Sequence, residues 1–422
     1  MGTTDTIEDL LRAEAPQVLG ALVRKFSRFD IAEDAVQEAL LVASRRWPAE
    51  GIPVEPRSWL IRVAYRRMID MVRSEQAARR REQEAGLADP AVLDASAPAP
   101  DVVDHDDSLL LLLLCCHPAL SPTSQVALTL RAVGGLTTAE IAHAYGASEA
   151  AMGTRISRAK QRLKQSGARF EPPSPEDLPD RVDAVMKILY LIFNEGYTAS
   201  SGDRLERVEL TEEAIRLTRM LHHLRSGDAE IAGLLSLMLL THSRRTARAQ
   251  DGHELVPLEE QDRSRWDRRL IDEGVALIES VWQTGPVGPY QLQAAIAAVH
   301  AQARAADETD WPQIAALYLW LERLLPTAPI SLSRVVAVAK ACGPRRGLAL
   351  LDELERTHKF SENALTRHRE QAVRAHLLES LGDLAAARAA YLSAAALTDN
   401  EVEKTYLLRR ARLDDSAATD GS

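Results

Sequence analysis

This chain of 422 residues has no long hydrophobic run. Its longest, Leu109 to Cys116, is about half of the roughly 18 residues that a membrane-spanning helix needs. The start, Met1 to Leu10, is acidic and polar where a signal peptide would be basic and then apolar. No membrane association is expected, and a cytoplasmic location is. Cysteine is scarce: Cys115, Cys116 and Cys342 are too few and too badly spaced for a disulfide framework. The stretch "CCHP", Cys115 to Pro118, has no second ligand pair at zinc spacing. Its thiols read as small buried hydrophobes, and no metal or other cofactor is expected. Aromatics make up 5% of the chain, too few for the aromatic- and β-branched-rich runs that strands need, and no such run alternates between turn dipeptides. Alanine and leucine dominate instead, which predicts an all-α fold.

A net charge of −10 argues at first against nucleic acid, but the sum hides its distribution. Residues 57–81 carry eight arginines against Asp70 and Glu75, a local +6. Residues 150–169 carry six basic groups and no acidic one, whereas residues 82–107 hold eight acidic groups and no basic one. From residue 170 onward the balance is −9, so nearly all of the negative charge lies in the C-terminal part. Two basic islands on either side of an acidic tether suit a DNA-binding protein with two contact modules.

Composition also marks the boundaries. Residues 84–107, "EAGLADPAVLDASAPAPDVVDHDD", are rich in Ala, Pro and Asp with little apolar periodicity, and predict a self-repelling linker. "FEPPSPEDLPD", Phe170 to Asp180, has four prolines and cannot continue a helix. Three blocks are expected: residues 5–83, 108–168 and 178–415.

In the second block, "GGLTTAEIAHAYGASEAAMGTRISRAKQRLK" reads as two helices joined by a very short turn. Thr137 with Glu140 three residues on makes a capping box that opens a helix running through Tyr145. Gly146 ends it with a residue that tolerates a left-handed backbone, and Ser148 is placed to cap the next helix. So tight a turn crosses the helices steeply, as in a helix-turn-helix. On the second helix Met152, Ile156, Ala159 and Leu163 recur at helical spacing as the buried stripe. Thr154, Arg155, Ser157, Arg158, Arg162 and Lys164 are left facing outward, where a recognition helix meets base edges and phosphates. A helical hairpin with a solvated basic face is the plainer alternative.

The first block contributes two further helices. In "DIAEDAVQEALLVASRRW", Asp30 to Trp47, the residues Val36, Ala39, Leu40 and Ala43 form a core face. Asp34, Gln37, Glu38 and Leu41 point to a second face, expected to be acidic, exposed and available as a protein dock. In "PRSWLIRVAYRRMIDMVRS", Pro56 to Ser74, the apolar positions are Ile61, Tyr65, Met68 and Val72. Arg62, Arg66, Asp70 and Arg73 fall within an arc of about 80° on the exposed side. Charges along such a face can track phosphates and make binding salt-dependent. Trp59 is either a core anchor or an aromatic that stacks on an unpaired base.

These stretches, in this order over residues 5–168, resemble the two conserved regions of an extracytoplasmic-function (ECF) sigma factor of bacterial RNA polymerase. The resemblance implies that residues 5–83 are sigma region 2, binding core polymerase and the minus-ten element, and that residues 108–168 are sigma region 4, binding the minus-thirty-five element. It implies that Asp34, Gln37, Glu38 and Leu41 meet the clamp helices of the polymerase, with the flap a second polymerase contact. The helix with Trp59, Arg62, Arg66, Arg67 and Arg73 would engage the minus-ten element, where the family melts DNA and captures an unpaired base. Ser148, Thr154, Arg155, Arg158 and Arg162 would face the minus-thirty-five major groove. The chain departs from the family's pattern at Gly153 and in a shorter polar set before Arg155.

A minimal member of that family would stop near residue 168. Beyond it, "LYLIFNEGYTASSGDRL", Leu189 to Leu205, breaks an apolar helix with an acidic Gly- and Ser-rich loop, and "VPLEEQDRSRWDRRLIDEG", Val256 to Gly274, sets Trp266 among dense charge. Both resemble the long helical C-terminal extension of one sigma subgroup, which implies a regulatory role. Residues Ala372 to Leu397 match a tetratricopeptide pattern at Ala375, Leu378, Gly382, Ala387, Tyr391 and Ala394. Weaker copies turn at Asp310 and Gly343, 33 and 39 residues apart from turn to turn. A stack of paired helices is the expected product.

The only candidates for catalysis in this block are His222, His223 and Glu195, and no nucleophile elbow, phosphate loop or metal spacing accompanies them. The chain is therefore not expected to be an enzyme. A second reading is a helical-repeat signalling scaffold whose helix-turn-helix binds an operator without polymerase, although such a protein has no use for the first block. The extension's charge of −9 beside two basic islands predicts that it docks intramolecularly on the sigma blocks, under the control of a regulatory protein or ligand.

Overall fold

A computed structural model describes residues 3–83, 107–198, 206–250, 254–360, 366–398 and 400–419. The linker expected at 84–107 lies outside them apart from Asp107, as do residues 199–205 of the expected Gly- and Ser-rich loop. The fold is all-α. Among the described residues the extended pairing is one antiparallel ladder, Ala249 with Leu255 and Gln250 with Glu254. The chain forms two compact units, Met1–Leu191 and Ile192–Ser422.

The first unit begins with α1 (Thr3–Phe26), α2 (Phe29–Glu50) and α3 (Pro56–Gln83), which pack on one another. The predicted core face of α2 is buried at Val36, Ala39, Leu40 and Ala43, and that of α3 at Ile61, Tyr65, Met68 and Val72. Trp47 is buried and meets Trp59 edge-on, with ring centroids 5.5 Å apart. Next come α4 (Ser108–Cys115), α5 (Pro122–Ala132), α6 (Thr138–Ala144) and α7 (Glu149–Gln165). Ser121 caps α5, whose first residue is a proline that needs no amide partner there.

The capping box of α6 forms as its spacing predicts. Thr137 Oγ1 accepts from the Glu140 amide at 3.2 Å, and Glu140 Oε2 accepts from the Thr137 amide at 2.7 Å. Gly146 takes the left-handed conformation at φ 59°, and Ser148 Oγ accepts from the Ala151 amide at 3.2 Å to open α7. Met152, Ile156, Ala159 and Leu163 are buried.

Helix α8 (Leu178–Tyr197) starts within the proline tract, with Pro179 in its first turn. It continues past the point where the apolar sequence turns acidic. The Arg181 guanidinium donates to the Leu113 carbonyl of α4, so the start of α8 belongs with the first unit. Asp107 differs from the solvated linker expected of it: it is 2% exposed and ion-paired with Arg24.

The second unit contains α9 (Val208–Leu224), α10 (Ala229–His242), the single turn α11 (Arg245–Arg248) and α12 (Arg268–Val281). Ten consecutive residues of α10, Ile231 to Leu240, are buried, as a helix apolar on all sides must be. It packs against α9, α12 and α13 (Pro289–Gln302), and Glu230 at its start accepts from the Tyr290 and Gln291 amides that open α13. Then follow α14 (Trp311–Leu324), α15 (Ala328–Cys342), α16 (Pro344–His358), α17 (Arg367–Ser380), α18 (Leu384–Ala396) and α19 (Glu401–Thr419), each packed on the next as far as α17 on α18 and α18 on α19.

The repeat reading predicts turns at Asp310, Gly343 and Gly382. Asp310 caps α14, while Gly343 and Gly382 sit between α15 and α16 and between α17 and α18 at positive φ. Ala375, Ala387, Tyr391 and Ala394 are buried, and Leu378 is half-buried. Small side chains let the paired helices approach: a Cβ on Gly347 of α16 would lie 2.5 Å from that of Ala339 on α15. Separate hydrophobic clusters follow along the stack, centred on Ile314, on Val335 and Leu351, and on Tyr391 and Ala394, so each hairpin leans on its neighbours.

Candidate nucleic-acid interface

Burial of the apolar side of α3 leaves Arg62, Arg66, Asp70 and Arg73 exposed. Arg67 differs from these three arginines, because its Nε lies 3.3 Å from Glu38 Oε2 on α2. Trp59 is half-buried against Trp47. In α7 the residues Thr154, Ser157, Arg158, Arg162 and Lys164 are exposed, and Arg155 is half-buried. Thr154 Oγ1 donates to the Ala150 carbonyl within its own helix, and Ser148 is engaged as the cap. The helix-turn-helix thus presents a basic outer face with Arg158 and Arg162 at its centre.

The second face of α2 departs from the exposed acidic surface that the spacing predicts. Glu38 and Leu41 are exposed, but Gln37 is buried and donates to the Arg131 carbonyl of α5 at 3.0 Å. Asp34 Oδ1 is 2.6 Å from Lys160 Nζ of α7. The reason is tertiary: α5 and α7 close over the first half of this face.

The network at that contact escaped the periodicity argument. Glu33, 1% exposed, receives Lys160 Nζ at 2.9 Å and Arg131 Nε at 2.7 Å. Lys164 Nζ reaches Asp30 Oδ2 at 3.2 Å. Burial pushes the Glu33 carboxyl up, but the charges of Lys160 and Arg131 outweigh it and hold the group below its ordinary value. Burial and the adjacent Glu33 charge leave Asp34 above its own. Lys160 is pulled down by burial and pushed up further by its two carboxylates, so it stays charged. One signal for it was present in the sequence: Lys160 falls four residues after Ile156 and three before Leu163, inside the apolar arc of α7.

The cysteines Cys115 and Cys116 are buried, and burial pushes the Cys116 thiol up to about 12. Glu195 is bound by Arg207 at 2.7 Å, His222 is half-buried and His223 is exposed. Among the described residues, no three His, Cys, Asp or Glu side chains gather closely enough to hold a metal, and no helix is long and apolar enough to cross a membrane.

Comparison with known proteins accounts for most of the chain. Residues 10–78 match Sigma-70 region 2, residues 110–163 match Sigma-70 region 4, and residues 181–282 match a family of unknown function, DUF6596. The chain is 41% identical over 422 residues to an uncharacterised protein of Rhizobium meliloti (strain 1021), covering 99% of this chain and 97% of that one. It is 34% identical over 163 residues to the ECF RNA polymerase sigma factor SigJ of Mycobacterium tuberculosis (strain ATCC 25618 / H37Rv), covering 37% of this chain and 50% of SigJ. It is 34% identical over 150 residues to the ECF RNA polymerase sigma factor SigK of Mycobacterium sp. (strain KMS), covering 33% of this chain and 72% of SigK. No solved structure matches it. The chain belongs to the ECF RNA polymerase sigma factors and carries a large helical C-terminal extension.

Proposed function

We propose that the chain binds core RNA polymerase through the α2 face of Asp34, Gln37, Glu38 and Leu41, and then directs it to promoters. In this reading the α3 face of Arg62, Arg66 and Arg73 holds the minus-ten strand, with Trp59 beside it and Arg67 tied to Glu38. Ser148, Thr154, Arg155, Arg158 and Arg162 of the α6–α7 helix-turn-helix meet the minus-thirty-five major groove. The observation that carries it is the pairing of a fully capped helix-turn-helix with a second basic face on α3, in a chain with Sigma-70 regions 2 and 4. An operator-binding regulator that ignores polymerase has no need of residues 10–78.

The experiment is transcription from genomic DNA by purified core polymerase with this chain, with the transcript starts sequenced. Starts clustered downstream of a shared pair of elements are expected. Failure to bind core, alongside tight binding to bare duplex, would leave the operator reading in place.

The extension is assigned a regulatory role, exerted on the sigma modules when a protein or small ligand binds it. A chain ending at Leu191 keeps the first compact unit whole and is expected to transcribe the same promoters at a different level. Equal output from both chains would make the extension an independent module.

A further inference from the structure

The repeat stack holds a cavity of about 440 Å³ between α15 and α17, beside the turn that begins α16. Its walls follow from helical spacing. Val336, Ala339, Lys340 and Gly343 recur along one side of α15 and its end, while Ala372, Val373, His376, Leu377 and Ser380 share one side of α17. Ala339, Gly343 and Ala372 carry little or no side chain, so helices that pack on each other leave space between them here.

The lining divides into an apolar wall and a polar edge. Val336 and Val373 are half-buried, left partly open by the cavity, and Leu377 belongs to the core cluster of Val335 and Leu351. Lys340 brings a cation. Beside it, burial together with Lys340 and Arg410 outweighs Glu259 and Glu379 and holds the His376 imidazole below its ordinary value, so the ring is neutral at pH 7 and keeps a hydrogen-bond donor. The Ser380 hydroxyl donates to the His376 carbonyl at 2.8 Å and can still accept. An apolar enclosure of about 300–1,000 Å³ with a few polar groups is the usual make-up of a small-molecule site.

The partner of Lys340 indicates what that molecule carries. Lys340 Nζ lies 2.7 Å from Glu259 Oε1 and 2.8 Å from Oε2. Glu259 belongs to a turn closed by the Glu260 amide on the Pro257 carbonyl at 2.9 Å, and it does not join the lining of the cavity. The Glu259 side chain is 47% exposed and that of Lys340 27%, and so wet a pair is weak. A carboxylate from solution can therefore replace Glu259 on Lys340 at little cost, because one like anion is exchanged for another. The incoming molecule gains in addition the apolar wall, which Glu259 leaves uncovered.

We propose that the cavity between α15 and α17 binds a small monocarboxylate with an apolar body, its carboxylate on Lys340 in place of Glu259 and its apolar part against Val336, Val373 and Leu377. Burial of apolar surface supplies affinity, and the lysine selects the headgroup. A phosphate or a dicarboxylate fits less well, since its second charge would be left against an apolar wall. The exchange frees the turn of residues 257–260 from α15, and that turn leads through Asp262 into α12, so occupancy of the repeat stack reaches the helices before it. Use of the site for control rests on the regulatory reading above.

Calorimetric titration of the full chain with decanoate and with decanol is the test. Decanoate should bind at least ten-fold more tightly than decanol. Lys340→Gln should remove that preference without changing the affinity for decanol. Glu259→Gln, which takes away the competing carboxylate, should tighten decanoate several-fold. Ala372→Phe fills the cavity and should abolish binding of both, with the circular dichroism of the chain unchanged. No binding of decanoate by the parent, equal affinity for acid and alcohol, or parental behaviour of Lys340→Gln or Glu259→Gln would each overturn the proposal. Parental binding by Ala372→Phe would overturn it too, because the apolar chain would then lie elsewhere on the surface. If the binding pattern holds while transcription by core polymerase with the full chain is the same with and without decanoate, the site stands and the regulatory reading falls.

Discussion

Replacing Arg66 and Arg73 together by alanine removes two charges from the exposed side of α3 and leaves its packed side intact, since neither residue contributes to the core. If these arginines neutralise phosphates, each withdraws one counterion-releasing contact. The slope of log K against log salt should then fall by about 1.4 for single-stranded or 1.8 for duplex contacts. Between about 50 and 200 mM salt, about 0.6 in log units, that slope difference amounts to about a seven- to twelve-fold change in the ratio of parent to variant affinity. The variant's defect should therefore be greatest at low salt and nearly vanish at high salt. Fluorescence anisotropy of the core complex on a labelled promoter fragment, titrated at four or five salt concentrations, measures it. A defect caused by lost packing would instead shift the whole line without changing its slope. Parallel lines for parent and variant would refute the assignment of this face to DNA.

Three further outcomes are expected. Glu38→Lys reverses a charge on the exposed part of the proposed dock and sets it against Arg67, so core affinity should fall by about ten-fold or more. Because that pair is half exposed, thermal unfolding should move little, by about 0.5 kcal/mol, and a large shift would show that the residue is structural. Burial, helped by Arg245 for His242 and by Arg244 and Arg263 for His300, pulls both imidazoles down to about 4. The unfolded chain therefore takes up protons that the folded one refuses, and stability of the second unit should decline as pH falls from about 6.5 to about 4, by about 2–3 kcal/mol for each group after solvent screening. Chemical denaturation at pH 7 and pH 4.5 checks this, with His300→Gln flattening the dependence; identical stability at both would count against buried neutral rings. Gly347→Ala places a methyl 2.5 Å from that of Ala339 and should cost about 1–3 kcal/mol in urea denaturation. The gain of about 0.5–1 kcal/mol usual for such a change in a helix would mean that α15 and α16 are not so closely packed.

Several features of this protein follow from neighbouring residues alone. The capping box of Thr137 and Glu140, the turn at Gly146, the cap at Ser148 and the stripe from Met152 to Leu163 depend on spacings of three or four residues, which are a property of the helix itself. The exposed arginines of α3 and the tetratricopeptide-like hairpin of α17 and α18 were readable for the same reason. Periodicity says which side of a helix is buried, but not what buries it. Gln37 and Asp34 belong to a polar side of α2 and read as solvated until α5 and α7 cover them. Asp107 continues an acidic run and reads as linker until Arg24 pins it. The proline tract reads as a domain boundary, yet Arg181 ties the start of α8 back to α4. Lys160 interrupts an apolar arc and acquires meaning only from two carboxylates that lie more than 120 residues away in the chain. Local hydrogen bonding and helical pitch are written into short stretches of sequence, whereas the pairing of buried charges depends on which distant faces meet.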